Sequence, residues 1–244
     1  MSEKGVCLVI GAGDDTGGAV GRAFAREGFT SCLVRRARNA EELEALAQSI
    51  RDEGHDALAM PADARDEDEM VALIEKIEED VGPIEVAVFN IGANVQFPIL
   101  EMTSRVYRKV WEMACFSGFL MGRETARHML KRGRGTIIFT GATASFRGRE
   151  NLSAFAGAKH ALRALAQSMA RELGPKNIHV AHTIIDGAID SRFIRENVPG
   201  VDDLRDTDGI LNPDHIAQNY VMLHNQPRDA WTHELDLRPW KEQW

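Results

Sequence analysis

The sequence lacks several features that would place the protein in other classes. No apolar run approaches the roughly 20 residues that a membrane-spanning helix requires, and Met1-Ser2-Glu3-Lys4 does not open a signal peptide. A formal net charge of −8 argues against nucleic acid or an anionic membrane surface as the main partner. There is no internal repeat, low-complexity tract or long linker rich in proline and serine. We therefore expect a single domain over residues 1–244.

Cysteine is also scarce. The chain has three cysteines, Cys7, Cys32 and Cys115, a number that leaves at least one unpaired. Cys7 and Cys32 fall within predicted buried strands, where cysteine behaves as a small apolar residue. We expect a reducing, cytoplasmic location, and we assign no metal-binding residues.

Hydrophobic residues make up 44% of the sequence, which suffices for one sizeable core. Along the chain, segments with the spacing of strands alternate with segments that have the spacing of helices. The predicted strands are Val6–Ile10, Ser31–Val34, Ala57–Pro61, Val86–Asn90, Thr136–Thr140, His179–Ile185 and Thr232–Leu237. The predicted helices are Gly17–Glu27, Ala40–Asp52, Glu67–Asp80, Ser104–Arg132, Ser153–Leu173 and Pro213–His224. Continuous apolar strands separated by helices indicate a parallel sheet that is covered on both faces. We predict an α/β fold of Rossmann type, a doubly wound parallel sheet of about seven strands with its site at their carboxyl ends.

A glycine-rich turn follows the first predicted strand. The segment Gly11-Ala12-Gly13-Asp14-Asp15-Thr16-Gly17-Gly18 leads into a helix, the order that a phosphate-bearing cofactor requires. Two carboxylates, Asp14 and Asp15, would repel a pyrophosphate unless they point outward, with Asp15 or Thr16 capping the helix. The alternative is that the turn is only a tight connection between strand and helix.

Two arginines end the second predicted strand. An acidic residue there would bind an unmodified adenosine ribose, whereas arginine suits a ribose 2′-phosphate. Arg35 and Arg36 therefore favour NADP over NAD, although a solvated pair at a strand end would show the same sequence.

The segment of about residues 186–212 has no strong periodicity. It is charged and contains Val198-Pro199-Gly200 followed by Asp202-Asp203. A loop of this length in a compact domain is usually a lid or substrate loop, and the alternative is a disordered surface insertion.

The motifs occur in the order and spacing of one protein family. They are the glycine turn, Asp63, Phe89-Asn90-Ile91-Gly92, Phe155-Ala156-Gly157-Ala158-Lys159 and Asp186-Gly187-Ala188-Ile189-Asp190-Ser191. Over nearly its whole length the chain resembles a short-chain dehydrogenase/reductase of the compact type. The resemblance implies an NADP cofactor held by Gly11, Gly13, Asp15, Thr16, Gly17, Arg35, Arg36, Asp63, Ala64, Asn90, Gly92, Lys159, Ile189 and Ser191.

The resemblance fails at the residues that carry the family's chemistry. Phe155 stands where the family has the tyrosine that gives or takes the proton, and Ala142 stands where a serine holds the substrate oxygen. Cys115 replaces the asparagine that anchors a water relay, so only Lys159 remains. Because reduction of a carbonyl needs a proton as well as a hydride, losing a positioned general acid typically costs about 10²–10⁴ in rate.

Other residues near the expected site can replace the missing groups. The candidate catalytic residues are Lys159, Asp186, Thr143, Cys115 and Phe155. Asp186 can act as an acid, pair with Lys159 or serve as a structural carboxylate, and Thr143 can donate to a substrate oxygen or only shape a turn. Cys115 can be a thiol acid or a packed helix residue, while His160 and His182 are expected to be structural.

Aromatic residues and long helices complete the expectations. Phe89, Phe146 and Phe155 are predicted to form a pocket for an apolar substrate, and Phe97 and Trp111 to lie in the core or an interface. The resemblance implies that the two long helices and the last strand form interfaces, giving a homotetramer or a dimer.

Three functions are compatible with the sequence. The first is an NADP(H)-dependent oxidoreductase with a rebuilt proton donor, whose small substrate, such as an iminium, a conjugated alkene or an activated carbonyl, needs little acid help. The second is a binding or regulatory protein that keeps the nucleotide site without redox chemistry. The third, a non-redox enzyme, is disfavoured because the glycines and arginines of a nucleotide site are present.

Overall fold

The computed structural model describes residues 4–13, 15–197 and 199–242. Asp14 and Val198, which fall within two of the predicted features, lie outside these residues. The strands are β1 (Val6–Ile10), β2 (Thr30–Val34), β3 (Ala57–Ala59), β4 (Ile84–Phe89), β5 (Gly135–Thr140), β6 (Ile178–Ile185) and β7 (Glu234–Leu237). The helices are α1 (Thr16–Arg26), α2 (Ala40–Asp52), α3 (Glu67–Asp80), α4 (Ser104–Trp111), α5 (Ser117–Arg132), α6 (Ser153–Leu173), α7 (Arg192–Asn197), α8 (Val201–Asp206) and α9 (Pro213–His224).

The strands form one seven-stranded sheet in the order β3-β2-β1-β4-β5-β6-β7, and all pairs are parallel. This confirms the predicted Rossmann-type doubly wound fold. The strand order reverses at β1, which pairs with β2 on one side and with β4 on the other. In such sheets the crevice at the reversal point, beyond the carboxyl ends of the strands, is where ligands bind.

The core lies on both faces of the sheet, which explains why the strand sequences are continuously apolar. Side chains alternate along each strand, so Leu8 and Ile10 pack on one face while Cys7 and Val9 pack on the other. The first face is covered by α3, α5 and α6, and the second by α1, α2 and α9.

The long helix predicted over Ser104–Arg132 is two helices. A π-helical turn at Glu112–Phe116 separates α4 from α5, and the Ser117 hydroxyl donates to the Met113 carbonyl at 2.6 Å beside it. The turn buries Ala114 and Cys115 against α6. A wider helical turn leaves the apolar spacing almost unchanged, so the sequence pattern did not show the break.

The predicted loop at about 186–212 is also partly helical. It contains α7 and α8, and a short parallel bridge joins Ile189 to Leu211 across its base. The carboxylate oxygens of the buried Asp190 pair with Arg195 at 2.8 Å and with Arg205 at 3.1 Å, so Asp190 holds the two helices together. Ion pairs of this kind leave no periodic pattern in the sequence, so the spacing of apolar residues does not predict them.

Half of the strand ends match the predictions, and the others differ by one or two residues, as at β3, which ends at Ala59 instead of Pro61. Within the described part of the chain, no helix has both the length and the apolar character needed to cross a membrane.

Acid is expected to destabilise the fold through its buried histidines. Burial lowers the pKa of His182 to about 4, and burial also lowers the pKa of His179 and His224. The histidines of the unfolded chain titrate near pH 6.5, so below that pH the unfolded chain binds more protons than the folded chain. The free energy of unfolding therefore decreases as the pH is lowered. His182 alone accounts for roughly 3 kcal/mol of unfolding free energy once the pH is below about 4.

Urea denaturation at about pH 7 and about pH 5 measures this loss, and H182Q should reduce the difference between the two. Equal unfolding free energies at both pH values would contradict the assignment of His182 as a buried neutral imidazole.

Candidate functional site

A cleft of about 290 Å³ lies at the carboxyl ends of β1, β2 and β4, where the strand order reverses. We call it the glycine-arginine cleft, after the residues that line it. They include Gly11, Gly13, Arg35, Arg36, Arg38, Asn39, Asp63, Ala64, Arg65, Asn90 and Gly92. The structure thus brings together most of the predicted cofactor residues from four separate loops.

The turn after β1 is held close to the neighbouring strands. The amides of Gly11 and Ala12 both donate to the Val34 carbonyl, at 2.9 and 3.1 Å, and Gly11 has a left-handed φ of +92°. A side chain at Gly17 would collide with the Gly11 carbonyl, so α1 starts directly against the turn. By contrast, apart from the neighbours of Gly13 in sequence, no described residue has an atom within 4 Å of the position that a Cβ on Gly13 would take.

Asn90 supports the same turn from β4. Its side-chain amide donates to the Gly11 carbonyl at 3.2 Å, and its backbone amide donates to the Ile10 carbonyl at 2.8 Å. The site residue predicted to pack beside a ribose therefore also fixes the glycine turn.

Asp15 does not cap α1, contrary to one of the two expectations for it. It occupies the position before the helix without a capping hydrogen bond, and its Oδ1 accepts from the backbone amide of Arg192 at 3.1 Å. Thr16 is the buried first residue of α1. The Asp15 contact joins the glycine turn to α7, at the other end of the sequence.

Four arginines line one end of the cleft, two more than the sequence analysis identified. Arg38 and Arg65 join Arg35 and Arg36, and burial together with the positive charges of Arg38 and Arg65 lowers the pKa of Arg36. Arg35 pairs with Glu42 at 3.0 Å. An Arg-x-Arg spacing and an arginine two residues after Asp63 are the sequence signals that would have found the additional pair.

Asp63 is engaged by one of these arginines. The Arg65 guanidinium donates to both of its carboxylate oxygens, at 2.9 and 2.5 Å, and these bonds hold the pKa of Asp63 below its ordinary value. The carboxylate therefore also orients Arg65 toward the cleft.

Lys159 is 3% exposed and lies on α6 beneath the ends of β4 and β5. Its Nζ donates to the Thr140 carbonyl at 2.8 Å and to the Ile91 carbonyl at 3.1 Å. Burial lowers its pKa to about 8. The Phe155 ring centroid is 5.9 Å from Nζ, so an aromatic face replaces the phenol expected from the family pattern.

Cys115 and the histidines have structural surroundings. Burial raises the pKa of the Cys115 thiol to about 11, which makes it a poor proton donor or acceptor at neutral pH. His182 is fully buried with its Nδ1 3.1 Å from Glu234, and His160, which is exposed, bonds the Ala156 carbonyl of its own helix.

Asp186 does not lie against Lys159 as one expectation had it. Its Oδ1 accepts a hydrogen bond from the Thr143 hydroxyl at 2.5 Å, and the side chain is 1% exposed. The guanidinium of Arg238 lies 3.4 Å from Oδ2, and that of Arg147 lies 3.9 Å from Oδ1. Neither arginine was among the predicted site residues, because β7 and the turn after β5 are far apart in sequence.

One of the three phenylalanines predicted to line an apolar pocket lies in the core instead. Phe89 is fully buried in the core beside Phe139, Phe155 on α6 is buried in a cluster that includes Cys115, and Phe146, in the turn after β5, is partly exposed. Phe97 and Trp111 are 38% and 42% exposed, so neither belongs to the core. Phe89 is the last residue of β4, and the alternation of the strand turns it inward.

Ile189 and Ser191 lie outside the glycine-arginine cleft as its lining is defined above. Ile189 forms the bridge to Leu211, and the Ser191 hydroxyl accepts from the Ile194 amide at 3.2 Å at the start of α7. Their predicted contact with the carboxamide of a cofactor remains a prediction.

Comparisons with known proteins agree with this architecture. A family model described as short chain dehydrogenase matches residues 5–200. The chain is 29% identical to 2-dehydro-3-deoxy-D-gluconate 5-dehydrogenase of Formosa agariphila over 175 residues. The aligned part covers 72% of this chain and 66%, just under two thirds, of that protein. It is 29% identical over 190 residues to cis-4-hydroxycyclohexanecarboxylate dehydrogenase of Sinomonas cyclohexanicum, 78% of this chain and 75% of that protein. The crystal structure of a short-chain dehydrogenase from Rhodopseudomonas palustris matches with a TM-score of 0.83 and 48% identity, over 98% of this chain and 100% of that one.

The turn after β5 is expected not to tolerate a side chain at Gly141. A Cβ there would collide with the His182 ring and approach the Ser145 hydroxyl to 2.8 Å, so G141A should lower the free energy of unfolding by about 1–3 kcal/mol. The control is G148A, because no atom lies within 4 Å of a Cβ at Gly148. Urea denaturation of both variants measures the difference, and equal stability would show that the turn is loosely packed.

Proposed function

The chain belongs to the short-chain dehydrogenase family, and on that premise we propose that it is an oxidoreductase that uses NADP(H). The observation that carries the proposal is the convergence of Arg35, Arg36, Arg38 and Arg65 on one end of the glycine-arginine cleft. The substrate is a small molecule, and the group that handles its proton differs from the tyrosine of the family.

The residues of the cleft fit a dinucleotide. The open space over Gly13 leaves room for a phosphate near the start of α1, where the helix dipole favours negative charge. Asp63 and Ala64 would flank the adenine, and Lys159 would bind the nicotinamide ribose. When bound, the cofactor accepts or donates a hydride. Lys159 contributes a positive charge that its burial holds in one place.

The phosphorylated form of the cofactor is preferred because of charge. Burial, and after it the repulsion by the neighbouring guanidiniums of Arg38 and Arg65, disfavours the charged form of Arg36 and lowers its pKa. A 2′-phosphate between these groups relieves the repulsion and accepts charge-assisted hydrogen bonds. An acidic residue at the end of β2, which would favour NAD, is replaced here by Arg35.

The substrate side of the site is altered relative to the family. Phe155 has no proton to donate, and Ala142 has no hydroxyl to hold a substrate oxygen. Phe146 and Phe155 would contact a small apolar part of the substrate, and two of the relatives named above are, by their names, dehydrogenases that act on 2-dehydro-3-deoxy-D-gluconate and on cis-4-hydroxycyclohexanecarboxylate. We propose a small substrate with an apolar side.

A second candidate function has one specific observation in its favour. Phe155, Ala142 and Cys115 together remove the family's proton-handling groups while the glycine turn and the arginines persist. A binding or regulatory protein that retains the nucleotide would show this pattern. A non-redox enzyme is a weaker candidate, because it would have no use for the arginine cluster.

The remaining expectations stay proposals. They are a single domain over the whole chain, a cytoplasmic location and a homo-oligomer, most simply a tetramer. The stacked rings of Trp111, Phe116 and Phe119 along α4 and α5 offer a partly exposed aromatic surface for such an interface.

The cofactor proposal is tested by titrating NADPH and NADH separately, following nucleotide fluorescence. R36D should weaken NADPH binding by about 10- to 100-fold, because a charge-assisted hydrogen bond is lost and a like charge is introduced, and should leave NADH binding nearly unchanged. R171D is the matched control, since Arg171 is exposed and bonds only the Gln167 carbonyl of its own helix among the contacts described. A preference for NADPH that survives R36D would disprove the assignment.

The loss of the phenol is tested by restoring it. The double variant F155Y/A142S should raise NADPH-dependent reduction of 2,3-butanedione by about 10²-fold, because a tyrosine hydroxyl near Lys159 provides the general acid. F155L/A142S is the control that removes the ring without adding an acid. No gain over the control would mean that the substrate oxygen does not lie near residue 155.

A further inference from the structure

We propose that Thr143 and Asp186 form a proton relay that takes the place of the family's tyrosine, and that the relay serves the oxidation of a secondary alcohol. The proposal rests on the function proposed above and identifies its missing proton-handling group. It stands on one juxtaposition, the Thr143 hydroxyl donating to Asp186 Oδ1 at 2.5 Å where β5 and β6 end side by side.

The different burial of Thr143 and Asp186 indicates which of them contacts the substrate. Asp186 is 1% exposed, so a substrate cannot contact its carboxylate directly. Thr143 is only partly buried, at the start of the turn that follows β5, next to Ala142 at the family's serine position. Thr143 is therefore the member that touches the substrate, and Asp186 acts through it.

The direction of the hydrogen bond indicates the substrate. Because the Thr143 hydroxyl proton points to Asp186, the lone pairs of its oxygen are the part left to meet a ligand. Those lone pairs accept a hydrogen bond from an alcohol O–H, whereas a ketone oxygen requires a donor. The resting arrangement is thus complementary to an alcohol.

The step balances in protons and electrons. The alcohol proton moves to Thr143 Oγ1 as the hydroxyl proton of Thr143 moves to Asp186 Oδ1. The electron pair of the substrate C–H bond leaves as hydride to the oxidised nicotinamide nucleotide, and the C=O bond forms. The proton on Asp186 returns to water by the same path after the ketone has left.

The charges around Asp186 make a buried carboxylate compatible with the fold. Arg238 and Arg147 lie 3.4 and 3.9 Å from its two oxygens, and Arg238 also pairs with Asp236. Glu242 lies beside the neighbouring residue, its Oε2 3.2 Å from the position of a Cβ on Gly187. These groups, with Thr143, are the charged and polar groups that face the carboxylate from the turn after β5 and from the segment after β7.

Other groups near the site are committed elsewhere. Lys159 Nζ donates to two backbone carbonyls, and burial raises the pKa of Cys115 to about 11. The Nε2 side of the His182 ring faces Gly141 too closely to admit a substrate atom. Among the described groups named here, the Thr143–Asp186 pair is the one that keeps an oxygen available to a ligand.

The test compares T143V, T143S, D186N and a control, T125V, whose lost hydroxyl bonds only its own helix. The probes are cis-4-hydroxycyclohexanecarboxylate, D-gluconate and cyclohexanol with NADP⁺. T143V and D186N should lower kcat/KM by about 100-fold or more, while T143S stays within about 10-fold of the parent protein. D186N should lower kcat and leave KM and the affinity for NADP⁺ nearly unchanged, a split that a merely structural role would not produce.

A second readout does not depend on turnover. Calorimetric titration of the same alcohol into the protein loaded with NADPH, a complex that cannot react, should show weaker alcohol binding for T143V and unchanged binding for T143S. Fluorescence titration should show equal NADPH affinity in all variants.

The outcomes separate the two proposals. If the parent protein fails to bind NADPH, the proposed function is wrong. If it binds NADPH and oxidises a probe, but T143V or D186N retains the rate, the relay alone is overturned. If it binds NADPH and oxidises no probe, the relay is overturned and the binding-protein function gains support.

Discussion

The buried ammonium of Lys159 is the interaction on which the geometry of the site depends. It crosses the ends of β4 and β5 by donating to the carbonyls of Ile91 and Thr140. Burying a charge in this position is costly unless it is hydrogen-bonded, and the two carbonyls supply those bonds. The two strand ends are thereby held in register, and the turns that carry Asn90 and Thr143 start from fixed positions.

The contacts that differ from the family pattern lie one strand further along the same edge of the sheet, at the ends of β5 and β6. The Phe155 ring centroid lies 5.9 Å from the ammonium and carries no hydroxyl, and the polar contacts of Asp186 with Thr143 lie at the ends of β5 and β6. Arg238, which follows β7, completes them. The glycine turn and the arginines thus lie at the ends of β1 to β4, while the half of the sheet beyond β4 carries the differences from the family.

Patterns of residues close together in sequence predicted the sheet and the glycine turn. They could not predict contacts between residues that are far apart in sequence. Continuous apolar strands and glycines with fixed spacing depend on neighbours in sequence, so both could be read directly. The Thr143–Asp186 bond joins residues 43 positions apart, and the salt bridge of Arg238 to Asp186 joins two strands whose adjacency only the fold reveals. The π turn before α5 and the inward rotation of Phe89 were missed because each depends on the turning of the backbone, which residue types alone do not fix.

The hydrogen bond from the Arg192 amide to Asp15 connects residues 177 positions apart and makes α7 a neighbour of the glycine turn. An outward displacement of α7 has to break that bond, and it uncovers the start of α1 at the same time. The glycine turn and α7 are therefore not independent of each other, and a substitution that shifts α7 acts on the turn as well.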